Sequence, residues 1–132
     1  MKISQDIIDK IIAIAKSELP NEACGYLLGS DGTITDNYAM TNIDHSPEHF
    51  SFDPKEQFAA IRYARENGLF VLANWHSHPS SPSRPSQEDI HLAYDSDISY
   101  VIVSLAEIDS VVNSFKIKNG VVEKENLTVF TV

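Results

Sequence analysis

The sequence predicts an α+β domain in which a mixed β-sheet is flanked by helices. Two stretches carry apolar residues at helical spacing, several short apolar runs are separated by turn residues, and most of these runs follow one another without an intervening helix. The predicted order is α-β-β-α-β-α-β-β-β, and adjacent strands with few helices are typical of this class. With 132 residues, of which 42% are hydrophobic, the chain is long enough for a single domain spanning residues 1–132.

Three segments have the pattern of a helix. The first begins after Ser4, a suitable N-cap, ends at Leu19-Pro20, and has apolar residues at positions 7, 8, 11, 12, 15 and 19. The second begins at Asp53-Pro54, which places proline at the first helical position after a capping residue, and it ends before Gly68. The third is short and begins at Ser86-Gln87-Glu88-Asp89, which has the form of a capping box.

The short apolar runs predict the strands of the sheet. Residues 23–29 and 33–35 form a predicted hairpin, and an irregular stretch covers residues 41–52. Leu69 to Trp75 is a predicted buried strand that leads directly into His76-Ser77-His78-Pro79, and a loop rich in Ser and Pro follows. The last three predicted strands are Tyr100–Leu105, Ser110–Ile117 and Val121–Val132. A tight turn joins the second of these strands to the third.

Charge and composition exclude several classes of partner. Ten basic residues against 19 acidic residues give a net charge of -9, which argues against binding to nucleic acid or to an anionic membrane surface. The longest nearly apolar run is far too short to cross a bilayer and the N-terminus does not have the order of a signal peptide, so we expect a cytoplasmic protein. The single cysteine, Cys24, excludes an intramolecular disulfide and is expected to be a small buried hydrophobic residue.

The residues around positions 76–89 predict a catalytic metal site. His76 and His78 alternate with Ser77, so in an extended backbone both imidazoles lie on the same side and can reach one ion. The intervening loop, with Pro79, Pro82 and Pro85, could fold Asp89 back toward the histidines. Two imidazoles and one carboxylate suit a single Zn²⁺ per chain, and three protein ligands leave a fourth position open for water.

Such a site needs a proton acceptor for the water, and a glutamate at a neighbouring strand end is the natural choice. Glu22 stands at the start of the first predicted strand. The position of a residue in the sequence does not by itself select Glu22 over Glu48 or Glu88.

The same residues resemble the signature of the JAMM (MPN-plus) zinc metallopeptidases, which is an upstream glutamate, then His-x-His-Pro, then Ser-x-x-Asp. The matching elements here are Glu22 in Pro20-Asn21-Glu22-Ala23-Cys24-Gly25, His76-Ser77-His78-Pro79, and Ser86 three residues before Asp89. The similarity extends through Phe52-Asp53-Pro54 and covers most of the chain. Length and the Asn-Glu-x-Cys-Gly stretch are most similar to the small, stand-alone bacterial members.

This resemblance implies a fold, a set of roles and a substrate. It implies the α-β-β-α-β-α-β order shared by JAMM and cytidine-deaminase-like folds, with His76, His78 and Asp89 as zinc ligands. It implies that Glu22 activates the water and that Ser86 donates a hydrogen bond to the oxyanion. The implied activity is hydrolysis of the peptide or isopeptide bond after the C-terminal glycines of a ubiquitin-like sulfur carrier protein, in some members with release of cysteine or a related amino acid. We expect the carrier's extended tail to pair with an exposed sheet edge beside the metal.

Other interpretations of the motif remain open. The two histidines could belong to an ordinary surface loop and Asp89 to an ordinary capping box, in which case Ser86 is only a cap; a capping Asp could also bind metal through its second oxygen. A JAMM-like module could bind a ubiquitin-like partner without cutting it. Amidohydrolase barrels need about 200 residues or more, metallo-β-lactamase-like sites need a longer histidine motif, and a cupin would need mainly β structure.

Several other residues are expected to have packing or surface roles. The remaining histidines, His45, His49 and His91, are expected to lie outside the metal site. Trp75 is expected in the core or a pocket wall, and the aromatic residues Tyr38, Phe50 and Phe52 in packing.

Overall fold

A computed structural model describes residues 1–131 of the chain and contains eight strands and three helices in that part. The elements are β1 (Lys2–Ser4), α1 (Gln5–Ser17), β2 (Cys24–Ser30), β3 (Thr33–Met40), α2 (Pro54–Glu66), β4 (Phe70–His78), α3 (Gln87–His91), β5 (Ser99–Ser104), β6 (Val111–Lys118), β7 (Val121–Glu125) and β8 (Thr128–Phe130). The expected α+β class with a mixed sheet and flanking helices is confirmed. None of the helices in the described residues is long and apolar enough to span a membrane.

All eight strands belong to one curled sheet. Its order is β7-β6-β5-β4-β2-β3-β1-β8, with β4 parallel to β5 and β1 parallel to both β3 and β8. The two outermost strands, β7 and β8, are consecutive in the chain, with only Asn126 and Leu127 between them. Because so few residues span at most about 11 Å, the sheet must curl until its two edges come close together.

The two faces of the sheet are covered by different helices. The amphipathic face of α1 packs on one face, where a buried cluster includes Ile7, Ile11, Leu27, Trp75 and Val101. On the other face a smaller cluster of Tyr100, Ile102, Phe115 and Ile117 packs against residues of α3 and the segment after it. The site described below lies on this second face, at the end of β4.

The caps of the two long helices are those predicted. The Ser4 side chain accepts a hydrogen bond from Ile7 N–H (3.3 Å), and Asp53 accepts one from Lys55 N–H (2.9 Å). Gly68, just after α2, has φ of 67°, a conformation that favours glycine at a helix end. These local signals predicted the ends of both helices to within one or two residues.

The strand predictions were wrong in three places. The strand β1 was missed, because three residues give no periodicity and its stability comes from distant partners, β3 and β8, and from the full burial of Ile3. The predicted strand Val121–Val132 is two strands, β7 and β8, which lie on opposite edges of the sheet; Val132 itself lies outside the described residues. The predicted strand of residues 33–35 continues to Met40, because β3 pairs along the whole of β2.

Gly25 occupies a position with no room for a side chain. A Cβ added there would lie 2.6 Å from Trp75 Nε1 and 2.6 Å from the Tyr38 carbonyl oxygen. Trp75 is fully buried and its indole donates to Asn37 Oδ1 at 3.0 Å, so it cannot move aside without losing that bond.

We therefore predict that Gly25→Ala lowers the free energy of unfolding by about 1–3 kcal/mol, the usual cost of overpacking. Lys10→Ala on the exposed face of α1 is the control and should change it by less than about 0.5 kcal/mol. Urea unfolding of both variants measures the effect. Equal stability of the two variants would contradict the close packing around Gly25.

Candidate metal centre

The central strand β4 places two imidazoles side by side at its end. The strand continues through His78, so His76 and His78 point to the same face, and their side chains are almost completely buried. Their Nε2 atoms lie 3.1 Å apart. The extended backbone that the sequence argument required is therefore observed.

The carboxylate of Asp89 completes this cluster. Its Oδ2 atom lies 3.1 Å from His76 Nε2 and 3.1 Å from His78 Nε2. The predicted capping box is confirmed: Ser86 Oγ accepts from Asp89 N–H (3.0 Å), and Asp89 Oδ2 accepts from Ser86 N–H (2.9 Å). Asp89 Oδ2 therefore accepts the capping bond and also faces the two histidines.

Buried serine hydroxyls fix the loop that carries Asp89. Ser83 Oγ donates to the Ile102 carbonyl at 2.7 Å, and Ser104 Oγ donates to the Ser81 carbonyl at 2.6 Å. Both bonds tie the loop after β4 to the neighbouring strand β5. The fold of residues 79–86 is thus held by hydrogen bonds to the sheet, and α3 begins at a fixed position.

The three donor atoms fit a tetrahedral metal ion. Ligand atoms about 2.0–2.1 Å from zinc at tetrahedral angles lie about 3.3 Å from one another, close to the 3.1 Å separations here. His78 Nδ1 lies 2.8 Å from the Pro82 carbonyl, and it can only donate to that oxygen, so the Nε2 lone pair is directed toward the other two donor atoms. His76, His78 and Asp89 therefore form a site that can hold a metal ion.

The electrostatics of the cluster favour the ligand forms. Burial lowers the pKa of His76, so this imidazole is neutral at neutral pH. Burial also opposes charge on Asp89, but hydrogen bonds from the two histidines outweigh it and hold the pKa of Asp89 well below its usual range. For His78 burial lowers the pKa, yet the hydrogen bonds to Asp89 and Pro82 raise it more, so protons compete with a metal ion for this imidazole and metal binding weakens in acid.

Glu22 lies beside this cluster, just before β2. Its N–H donates to the Ser46 carbonyl (2.8 Å), and its carbonyl accepts from Asn42 Nδ2 (3.1 Å). The side chain is only 3% exposed and its Oε1 atom is buried without a hydrogen-bond partner among the described residues. Burial raises the pKa of Glu22 to about 8, although the charge of His78 opposes the shift. A carboxyl group with this pKa can accept and return a proton near neutral pH.

Ser86 is exposed and is bonded to Asp89 through the capping box. Its hydroxyl oxygen accepts the capping bond from Asp89 N–H, and no hydrogen bond of residues 1–131 uses the Ser86 O–H as donor. The O–H is thus free to donate to a bound substrate.

A cleft of about 400 Å³ runs along the sheet face from the metal cluster. His76 and Asp89 line one end, and its other walls include Tyr26, Phe50, Phe52, Leu92, Tyr100 and Ile102. The strands that form the floor are paired on both sides, whereas β3 beyond Ile34 pairs only with β2. Pairing of the carrier's tail with a sheet edge stays a prediction, and the cleft is an open surface at this site.

Two residues of the site were not identified from the sequence. Asn42 joins the loop after β3 to Glu22 through bonds to the carbonyls of Glu22 (3.1 Å) and His49 (3.1 Å), and a buried asparagine within an irregular stretch gives no local signal of this role. Phe50, expected only in packing, stacks on His76 with ring centroids 4.7 Å apart and lines the cleft. Only the neighbouring Phe52-Asp53-Pro54 motif pointed to this part of the chain.

The remaining histidines and the single cysteine lie outside the cluster of possible metal ligands. His49 bonds to Asp44 at 3.0 Å, and neither His45 nor His91 belongs to the metal-ligand group found in the described residues. Cys24 is fully buried, and burial raises the pKa of its thiol to about 12, so it is not a thiolate at neutral pH.

The chain matches a family model and curated proteins over most of its length. Residues 4–118 match the model described as prokaryotic homologs of the JAB domain. The chain is 31% identical over 130 residues to the CysO-cysteine peptidase of Mycobacterium tuberculosis, covering 96% of this chain and 89% of that protein. It is also 31% identical over 88 residues to the desampylase of Pyrococcus furiosus, covering 67% of this chain and 62% of that protein.

The fold is similar to solved structures. Protein DSY2949 from Desulfitobacterium hafniense superposes with a TM-score of 0.92 at 43% identity, covering 99% of this chain and 93% of that one.

The raised pKa of Glu22 predicts how the metal-free protein responds to pH. The folded chain keeps the Glu22 proton up to about pH 8, whereas an unfolded glutamate releases it near 4.5, so the folded state binds more protons in this window and loses stability as pH rises through it. Glu22→Gln removes this loss. Between about pH 5 and about pH 8.5 we expect the wild type to lose on the order of 2 kcal/mol more stability than the variant.

Urea unfolding of both chelator-treated proteins across this pH range measures the difference. Parallel pH dependence in the two proteins would contradict the raised pKa of Glu22.

Proposed function

Because this chain belongs to the family of prokaryotic JAB-domain homologs, the JAMM family, we propose that it is a zinc-dependent peptidase acting on a ubiquitin-like sulfur carrier protein. The bond hydrolysed follows the carrier's C-terminal glycines, and the product released is cysteine or a related amino acid. The chain is a hydrolase of this family, as the names of its relatives indicate. The observation that carries the proposal is the cluster of His76, His78 and Asp89 beside the buried Glu22.

His76, His78 and Asp89 are proposed to hold the metal through Nε2, Nε2 and Oδ2. Two imidazoles and a carboxylate are a donor set that suits Zn²⁺, and three protein ligands leave room for water and substrate. When bound, zinc makes water more acidic and polarises the scissile carbonyl. The Pro82 carbonyl keeps His78 in the ligand tautomer, and the Ser86 N–H keeps Asp89 oriented.

Glu22 is proposed as the general base and then the general acid. In its ionised form the carboxylate takes a proton from the attacking water, and its burial makes it basic enough to do so. The same group then delivers the proton to the nitrogen that leaves. The Glu22 backbone, which donates to the Ser46 carbonyl and accepts from the Asn42 amide, keeps the carboxyl group in place between these two steps.

Ser86 is proposed to stabilise the oxyanion. Its hydroxyl oxygen is already held by the Asp89 N–H, which fixes the direction of the remaining O–H. A donor fixed before the reaction stabilises developing charge without a cost of reorientation in the transition state.

The substrate class rests on the relatives and on the shape of the site. One relative is named a CysO-cysteine peptidase and another a desampylase, and both align with this chain at 31% identity. The open cleft that ends at the metal cluster can receive an extended chain end, which a folded carrier protein with a glycine tail presents. We propose that the tail lies in this cleft.

The ligand and base roles predict different defects. Glu22→Gln should retain about one zinc per chain and lose at least about 100-fold in kcat, because only the proton transfer is removed. His78→Ala should lose zinc as well as activity, because one ligand is removed. Elemental analysis and mass-spectrometric assay of a carrier protein bearing a C-terminal cysteine measure both quantities on the same samples.

Lys10→Ala serves as the control for purification and folding. Near-native turnover of Glu22→Gln would exclude the general-base role, and full zinc content in His78→Ala would exclude that residue as a ligand. Native protein that stays inactive on carrier conjugates after binding one zinc would favour a non-catalytic binding module.

The two functions of Ser86 can be separated with Ser86→Gly. Glycine caps a helix almost as well as serine, with a loss of a few tenths of a kcal/mol, but it has no hydroxyl. We expect a thermal midpoint close to that of the wild type and a fall in kcat of about 100- to 1,000-fold. An unchanged kcat would show that Ser86 is only a cap.

A further inference from the structure

The two metal-binding imidazoles are not supported in the same way. His78 donates from Nδ1 to the Pro82 carbonyl at 2.8 Å, whereas His76 Nδ1 is buried and has no hydrogen-bond partner among the described residues. A histidine that binds a metal through one ring nitrogen almost always donates from the other. The fold therefore leaves one ligand, His76, without its usual support.

An acceptor without a partner lies on the same face of the same strand. Asn74 precedes His76 by two residues on β4, so both side chains project into the cleft, and both line it. The Asn74 Oδ1 atom is buried and has no partner among the described residues. Among the described residues, one other side-chain oxygen is buried without a hydrogen-bond partner. It is Glu22 Oε1, and Glu22 does not line the cleft.

The two atoms are chemically complementary. With a metal on Nε2, His76 must carry its proton on Nδ1 and is a donor, whereas Asn74 Oδ1 is an acceptor. Leaving both buried and unpaired would forfeit the hydrogen bonds that each group makes with water in the unfolded chain. Phe50 stacks on the imidazole face, so Nδ1 can be reached by a hydrogen-bond partner only along the ring edge.

We propose that Asn74 positions His76 for metal binding through a bridging water, which accepts from His76 Nδ1–H when the metal is on Nε2 and donates to Asn74 Oδ1. A group that accepts one hydrogen bond and donates another is what this pair of atoms requires, and a buried water commonly fills this role between unpaired polar groups. Asn74 is thus a positioning residue that acts through His76. This inference rests on the proposed metal site.

Zinc affinity of the metal-free protein tests this role directly. Asn74→Leu removes the acceptor at similar size, and we expect it to bind zinc about 10- to 100-fold more weakly in competition with a chromophoric chelator. Asn74→Asp keeps an acceptor and should bind zinc as tightly as the wild type or more tightly. Gln57→Leu is the matched control, since Gln57 lines the same cleft but bonds to Tyr26 (3.1 Å), and its affinity should stay within about twofold.

A spectroscopic readout separates positioning from general loss of structure. In ¹⁵N-labelled, zinc-loaded wild type the His76 Nδ1 should give the signal of a protonated, hydrogen-bonded nitrogen, and that signal should shift in Asn74→Leu while the His78 signals stay in place. Thermal midpoints confirm that each variant is folded, and Asn74→Ala replaces the leucine variant if leucine prevents folding.

The outcomes are distinct from those that test the proposed function. If the wild type binds zinc and a folded variant without the acceptor binds it within twofold, the role of Asn74 is overturned and the metal site stands. If Asn74→Asp is folded yet binds zinc as weakly as Asn74→Leu, the role of the acceptor is likewise overturned. If the wild type binds no zinc, the proposed metal function itself fails.

Discussion

The pairing of Ala23 with Ser77 is the contact on which the geometry of the site depends. Ala23 N–H donates to Ser77 Oγ at 2.7 Å, and Ser77 N–H donates to the Ala23 carbonyl at 3.0 Å, so the start of β2 is bound to the residue between the two histidines. This pair of hydrogen bonds places Glu22, the residue before Ala23, beside His76 and His78. Because β4 is also paired with β5, both flanks of the histidine strand are fixed before any ligand binds.

Charge is the second constraint, since the fold buries acidic groups beside two imidazoles. Burial alone would keep both carboxyl groups protonated, and it does raise the pKa of Glu22. Asp89 escapes this effect because the two histidines and the Ser86 N–H hold its charge. The same environment therefore yields one ionised carboxylate, Asp89, and one carboxyl group, Glu22, that holds its proton up to about pH 8. This difference suits the ligand and proton-transfer roles proposed for the two residues.

The sequence predicted those parts of the site that depend on local rules. Strand periodicity brought His76 and His78 together, and the capping pattern located Ser86 and Asp89 at the start of α3. The choice of Glu22 needed the family resemblance, because its approach to the histidines depends on a strand pairing 54 residues apart. The short strand β1 and the role of Asn42 depend on distant partners and leave no periodic signal in the sequence. The direction in which the Asp89 carboxylate turns leaves no such signal either.

X-ray absorption at the zinc edge of the metal-loaded protein tests the central claim, a three-ligand catalytic centre at the end of β4, most directly. The account predicts a four-coordinate ion with nitrogen and oxygen ligands only, at about 2.0–2.1 Å, and an imidazole scattering signal that corresponds to two histidines. A sulfur ligand near 2.3 Å, which would have to come from Cys24, or an ion surrounded by oxygen alone, would contradict it.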